Sequence, residues 1–293
     1  MIQKRFTVGK ALIYLILTML CATIVVAFWH LLNLSLSPSH IATKGGLLLY
    51  PKELTWDNYA RVVGNRYIWM GYKNTLIRTV IGTVLQLFFT AMGAYVLSKR
   101  FFPHRTFWTF FIIFTMFFSG GLIPNYLLVK DLGLLNTYSS MILPGLISAY
   151  NMVIIRNYFQ SLPEEIEESC LIDGAGRFRI FLQFVLPLSK PILATVALWL
   201  VVGHWNSWFD VLIYISDDTK FTLQIVLRRI ILTGSKEILD TSAAANAAEI
   251  ESVVSSEGLK AACIFVTTFP ILCAYPFVQK FFVKGIMIGS LKG

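Results

Sequence analysis

Hydrophobic residues in this chain do not alternate with polar ones. They run in long blocks separated by short charged segments. Six blocks have the length of a membrane-spanning helix: Ala11 to Leu32, Asn74 to Leu97, Phe107 to Val129, Tyr138 to Ile155, Pro191 to Ile213 and Ala261 to Phe282. The third contains FFSGGLIPNYLLV, where Gly120, Gly121 and Pro124 predict a bend. Two longer polar segments lie between blocks, at 33–73 and 216–260. In the first, LTWDNYARVV has the spacing of a short amphipathic helix. In the second, LQIVLRRIILTG precedes SAAANAAEIESVVSSEGLK, whose small and polar residues fit either a helix or a loop. No internal repeat is visible. The predicted fold is all-α, a single transmembrane domain over residues 1–293.

Composition agrees with a membrane protein. The chain is 56% hydrophobic and 14% charged, with a mean hydropathy of +0.67, where a soluble chain carries about 25% charged residues. The net charge of +9 requires no nucleic acid, because bases flank the blocks. Lys4, Arg5, Lys10, Lys99, Arg100, Arg105, Arg156, Arg177, Arg179, Lys190, Lys280, Lys284 and Lys292 fall on one side of six spans. That side is predicted cytoplasmic, with both termini on it. The other side also carries bases, mostly in the long loops, where the charge rule is weak. The first block follows Lys4, Arg5 and Lys10 as a signal peptide would, but at roughly 20 apolar residues it exceeds a signal core and reads as a retained span. Cys21, Cys170, Cys263 and Cys273 form no CxxC pair or His/Cys cluster. They are expected to be small buried side chains, with Cys170 an incidental loop thiol, and no metal site is expected.

One polar stretch stands out, EEIEESCLIDGAGRFRIFLQFVLPLSKP from Glu164 to Pro191. Ser161, Pro163 and Glu164 predict a helix start, with Ser161 as cap. Glu164, Glu165, Glu167 and Glu168 suit a helix N-terminus electrostatically, and Ile166, Cys170 and Leu171 form an apolar strip. The helix is predicted to end near Ile172, where Gly174 takes a positive φ. Asp173 is expected to cap a second helix from about Ala175, carrying Phe178, Phe181, Phe184 and Val185 as its apolar set. Pro187 and Pro191 bound the start of the fifth span. Four glutamates are poorly placed on an anionic leaflet, so this helix–turn–helix, about 161–190, reads as a docking element rather than a loop lying on lipid.

The same stretch resembles the EAA loop of ATP-binding cassette importer permeases, whose pattern is Glu-Ala-Ala, three residues, Gly, about nine residues, then Ile-x-Leu-Pro. Glu168, Gly174, Leu186 and Pro187 match it, and Ser169 and Cys170 replace the alanines. LGLLNTYSSMILP (Leu132 to Pro144) and PFVQKFFVKGIMIGSLKG (Pro276 to Gly293) are similar to segments of sugar importer permeases of the maltose permease type. Within that family the ending and the LQIVLRRIIL loop most resemble the oligosaccharide subgroup, including the permeases for uronic acid oligosaccharides such as those of alginate.

The resemblance implies a bacterial inner-membrane permease subunit with a cytoplasmic coupling loop. Its implied partners are a second permease subunit, two cytosolic ATPase subunits, an extracytoplasmic substrate-binding protein, the oligosaccharide and membrane lipid. It implies ATPase docking through Glu164, Glu165, Glu168, Asp173, Gly174 and Ala175. The chain has no GxxxxGK[ST] loop, no Ser/His/Asp set and no HExxH. It is therefore expected to be no enzyme and to bind no cofactor, with ATP and Mg held by the ATPase.

Three further assignments are weighed from the residues. Trp205, Asn206, Trp208 and Asp210, within GHWNSWFD, either line the substrate path or form an interfacial aromatic belt. Arg78, inside the second block, either attracts an acidic sugar or, the preferred expectation, snorkels outward. Arg228 and Arg229 either meet the binding protein or are solvated charges. The competing classes are a permease of the same machinery for a non-sugar solute, and a secondary transporter or channel. Against the latter, ion-coupled carriers pair intramembrane acids with bases, and Asp210 is the one intramembrane acid, near a span end.

Overall fold

In the computed structural model the chain is described over residues 8–44, 46–233 and 257–273, and all regular structure there is helical. The longer elements are α1 (Val8–Ser35), α2 (Asp57–Gly64), α3 (Arg66–Ser98), α4 (Arg105–Phe117), α5 (Leu122–Asp131), α6 (Tyr138–Gly145) and α7 (Ala149–Phe159). They continue with α8 (Glu164–Ile172), α9 (Arg177–Leu188), α10 (Lys190–Asn206), α11 (Phe209–Tyr214), α12 (Leu223–Thr233) and α13 (257–273).

Among the described residues, α1 and α3 are each long and apolar enough to cross a membrane, and up to five spans result if each bent pair counts as one. The bend expected from Gly120, Gly121 and Pro124 is present: α4 and α5 meet at 110°. Gly121 adopts φ +86°, and Pro124 falls in the first turn of α5, where its missing N–H is harmless. α6 and α7 meet at 53°, and the Ser148 hydroxyl caps α7 by accepting from the Asn151 N–H at 3.3 Å. α9 and α10 meet at 84°. Ser189 breaks the chain there between Pro187 and Pro191, and α9 relaxes into a π-turn over Phe181–Val185. The expected sixth span is described only to residue 273, and the C-terminal motif from Pro276 lies outside the described residues, as does most of the segment before α13.

The described residues pack as two compact units. The first comprises the described residues up to Ile68 and those between Leu227 and Phe269. The apolar residues of α1 from Leu12 to Val26 are exposed, and none of its most apolar stretch is buried within the chain. Its C-terminal end is tied to the following loop: the Trp29 indole donates to the Leu49 carbonyl at 2.7 Å, and Asn33 to that of Leu48 at 3.1 Å. Leu34 packs with Ala42 and Ala261 of α13, and Phe28 meets Phe265 edge-on. The amphipathic helix expected in LTWDNYARVV is α2. It buries Val62 and Asn58, whose amide donates to the Ser35 and Ser37 carbonyls.

The second unit comprises Trp69–Val226 and the described residues from Pro270 to Cys273. Its core joins Ala91, Ala94 and Tyr95 of α3, Met152, Ile155 and Phe159 of α7, Cys170 of α8, Ile180, Phe181 and Val185 of α9, and Val196 and Leu200 of α10. The segment between α7 and α10 is therefore packed onto the long helices rather than appended to them. Cys170 is a buried core residue, not the incidental loop thiol expected, because the small side chain lets α8 seat closely.

Candidate functional site

Two polar constellations interrupt the apolar surface of the second unit. The first is the segment from α8 into α9. Helix α8 starts at Glu164, with Glu164, Glu165 and Glu167 in its first turn, where the exposed N–H groups favour negative charge. Ser161 does not cap it. Its hydroxyl donates instead to the Tyr158 carbonyl at 2.7 Å, closing the end of α7. The helix ends at Ile172 as expected. The Gly174 N–H then donates to the Leu171 carbonyl at 3.0 Å, and the Ala175 N–H to that of Cys170 at 2.9 Å. These two bonds, with Gly174 at φ +81°, make a Schellman turn. The turn leaves Asp173 exposed as the C-cap residue of α8 and not, as expected, the cap of α9. Helix α9 begins at Arg177 behind Gly176, with no side-chain cap. Of the expected apolar set, Phe181 and Val185 are buried, while Phe178 and Phe184 are exposed.

The glutamates are not equivalent. Glu165 and Glu168 are exposed. Glu164 meets Arg100 at 3.4 Å, with 68% and 84% of those side chains exposed. Glu167 is half-buried and forms an ion pair with Lys99, and it also accepts from the Tyr95 hydroxyl at 3.4 Å. The Lys99 ammonium lies 4.7 Å from the centre of the Tyr95 ring, near enough for a cation–π contact. A cleft of about 420 Å³ opens beside them, lined by Arg100, Arg105, Arg177, Glu164 and Glu168 among others. The Arg177 guanidinium sits 3.6 Å over the Phe101 ring.

The second constellation surrounds the break between α10 and α11. Helix α10 stops at Asn206, and α11 starts at Phe209. The Ser207 hydroxyl donates to Asp210 Oδ1 at 2.7 Å. Arg78 reaches Asp210 from α3 with both terminal nitrogens, Nη1 to Oδ1 at 3.2 Å and Nη2 to Oδ2, and Nη2 also donates to the Met141 carbonyl at 3.4 Å. Only 4% of the Arg78 side chain is exposed. It does not snorkel: a carboxylate across the bundle offers its planar fork a bidentate partner that a lone arginine would have to seek at the surface. One turn along α3, Gly82 leaves room for the His204 ring, which is 3.1 Å from Gln86 Oε1. A Cβ on Gly82 would stand 2.7 Å from His204 Nε2. Trp205 is buried against Tyr72, Trp208 is half-buried and Asn206 is exposed.

Above this break, Asn74 donates to the Thr219 and Phe221 carbonyls at 2.9 and 2.8 Å and accepts from the Tyr138 hydroxyl at 2.7 Å. Asn136, at φ +60°, accepts from the Ser216 and Asp217 N–H groups. The motif from Leu132 to Pro144 therefore supplies polar clamps between the ends of α5, α6 and α11. Asp217, outside the spans, is held at a pKa of about 2 by hydrogen bonds from Thr219 and Lys220. Arg228 is exposed and Arg229 half-buried on α12. Among the described residues no group of three His, Cys, Asp or Glu comes together as a metal site. Sequence reasoning missed Lys99, Tyr95 and the inward role of Glu167, and also the Arg78–Asp210 pair. The available signal was a charge inside, or at the end of, an apolar block.

Comparisons with known proteins cover nearly the whole chain. The family described as binding-protein-dependent transport system inner membrane component matches residues 68–283. Protein LplC of Bacillus subtilis (strain 168) is 42% identical over 273 residues, 93% of this chain and 90% of that protein. The polygalacturonan/rhamnogalacturonan transport system permease protein YtcP of the same organism is 37% identical over 282 residues, 96% of this chain and 97% of that protein. A chain in the crystal structure of a bacterial ABC transporter involved in the import of the acidic polysaccharide alginate matches with a TM-score of 0.84 at 29% identity, covering 94% of this chain and 99% of that one. This chain belongs to the binding-protein-dependent transport system inner membrane component family, the multi-pass permease subunits of ABC importers.

Proposed function

We propose that this permease subunit serves an ABC importer for oligosaccharides bearing carboxylates, of the uronic acid kind, handed over by a binding protein outside the membrane. The oligosaccharide importer class follows from the family and the relatives. The acidic substrate is the added step. The observation that carries it is the whole-chain likeness, at a TM-score of 0.84, to a chain of a transporter for an acidic polysaccharide. The name of YtcP points to polygalacturonan and supports the same chemistry.

In this reading six spans cross the inner membrane with both termini cytoplasmic, and the chain forms one permease domain paired with a different second permease. The helix–turn–helix α8–α9 is the cytoplasmic coupling element. Exposed Glu165 and Glu168, with Glu164, Asp173, Gly174 and Ala175 at its rim, meet basic groups on one of two ATPase subunits. ATP and Mg are held there, and this chain binds no cofactor and catalyses no reaction. Asn206, Trp208 and Asp210 border the substrate path, with Trp205 packed behind them. Arg228 and Arg229 face the binding protein.

The test is co-purification of the chain and its partner permease with the ATPase, followed by ATP hydrolysis in proteoliposomes with the binding protein. Stimulation by oligogalacturonate or alginate oligosaccharides and not by maltooligosaccharides is the expected result. Stimulation by neutral oligosaccharides alone removes the acidic assignment, and failure to retain any ATPase removes the importer reading.

A further inference from the structure

We propose that Lys99 and Glu167 form the joint through which the α8 segment moves α3, so that Glu167 is a positioning residue of transport and not one of the glutamates that meets the ATPase. The inference rests on the importer reading above and deepens it. Sequence places Glu167 among four equivalent acids, but the fold separates it. Its side chain and that of Lys99 are each only 15% exposed, whereas Glu165 and Glu168 are exposed. A carboxylate already paired with Lys99 and bonded to Tyr95 has little left to offer an incoming partner.

The same contacts make it a mechanical link. Lys99 directly follows the last residue of α3, Ser98, and Tyr95 is the last-turn aromatic of that helix. The Tyr95 ring packs 5.2 Å from Phe181 of α9 and 6.4 Å from Phe159 of α7. A displacement of the α8–α9 segment therefore reaches α3 by two routes, the ion pair from α8 and the Phe181 ring from α9. An exposed pair such as Glu164–Arg100 contributes little and slips in water. Separating a half-buried pair strands a charge with poor access to solvent, so these two elements hold together when either moves.

The experiment uses the assembled transporter, with both permeases, the ATPase and the binding protein. Variants are Lys99→Glu, Glu167→Lys, the double exchange of the two, and Glu168→Lys as a contrast. Glu167→Gln, nearly isosteric, stands in if either reversal fails to fold. Three quantities are read: ATPase retained per permease, ATP hydrolysed, and radiolabelled oligogalacturonate taken up. The joint predicts that Lys99→Glu and Glu167→Lys retain the ATPase within about twofold while uptake per ATP falls about tenfold, and that the exchange restores much of it. Glu168→Lys, in contrast, loses the ATPase. Loss of ATPase from the Glu167 variants in step with Glu168→Lys would make Glu167 a docking residue and overturn the proposal. Unchanged uptake per ATP in the single variants also overturns it. A wild type that binds no ATPase defeats the importer reading itself, and one that binds ATPase without taking up this sugar defeats only the acidic substrate. In the latter case, the ratio is read with the oligosaccharide that does stimulate hydrolysis.

Discussion

Helix α3 carries an ion pair at each of two levels. Arg78 meets Asp210 of α11, and Lys99 meets Glu167 of α8. At 1.5 Å per residue the two levels are about 30 Å apart along the helix, close to the thickness of a hydrocarbon core. The pairs differ in kind. The arginine fork is 4% exposed and grips its carboxylate with two nitrogens, whereas the lysine, 15% exposed, is a point charge resting on a tyrosine face. A bidentate, buried pair fixes orientation as well as distance. A single ammonium fixes distance and leaves rotation freer. The first suits a fixed point in the bundle, and the second suits a joint that must transmit motion.

The contrast can be broken most severely at the buried end. Asp210→Ala leaves the Arg78 charge without its partner and should cost about 3–5 kcal/mol, against about 1–2 kcal/mol for Glu167→Ala, where Lys99 keeps its contact with the Tyr95 ring. Thermal unfolding in detergent, with both variants beside wild type, measures this. Equal losses would mean that the two pairs are not different in kind. Next in size, Arg78→Lys should cost about 2 kcal/mol through loss of the fork, while Lys99→Arg stays within about 0.5 kcal/mol. Gly174→Ala, which forces a Cβ onto the positive φ of the Schellman turn, should destabilise by about 1–2 kcal/mol. Gly174→Asn should do so less, and both are readable as earlier proteolysis of the α8–α9 segment. Smallest of all, Glu164→Gln should shift the unfolding midpoint by less than about 1 kcal/mol equivalent, an effect that vanishes in high salt.

Much of this architecture is legible in the pattern of apolar blocks. The bend in FFSGGLIPNYLLV, helix α2, the end of α8 at Ile172 and the positive φ of Gly174 all depend on neighbouring residues, and local pattern carries them. The ion pairs do not. Arg78 and Asp210 lie 132 residues apart, and Lys99 and Glu167 lie 68 apart, beyond any periodicity. Two local expectations also failed for local reasons. The α7–α8 connection is so short that Ser161 falls within reach of the Tyr158 carbonyl and serves the preceding helix. The Schellman turn satisfies the end of α8 with backbone groups and moves the start of α9 to Arg177, away from Asp173. The pairing of Asp210 with Arg78 also gives the one intramembrane acid a base, the feature of ion-coupled carriers, so the scarcity of such acids no longer separates the two classes. The family match decides between the two machines instead.

Helix α1 has a different consequence. Among the described residues none of its most apolar stretch is buried, and a helix satisfies its own backbone in lipid. Along that stretch it can therefore hold its secondary structure in a bilayer without packing against the rest of the chain. Its conformation there does not depend on packing against another helix of the described chain. The surface that the fold leaves bare is the one a bilayer can cover.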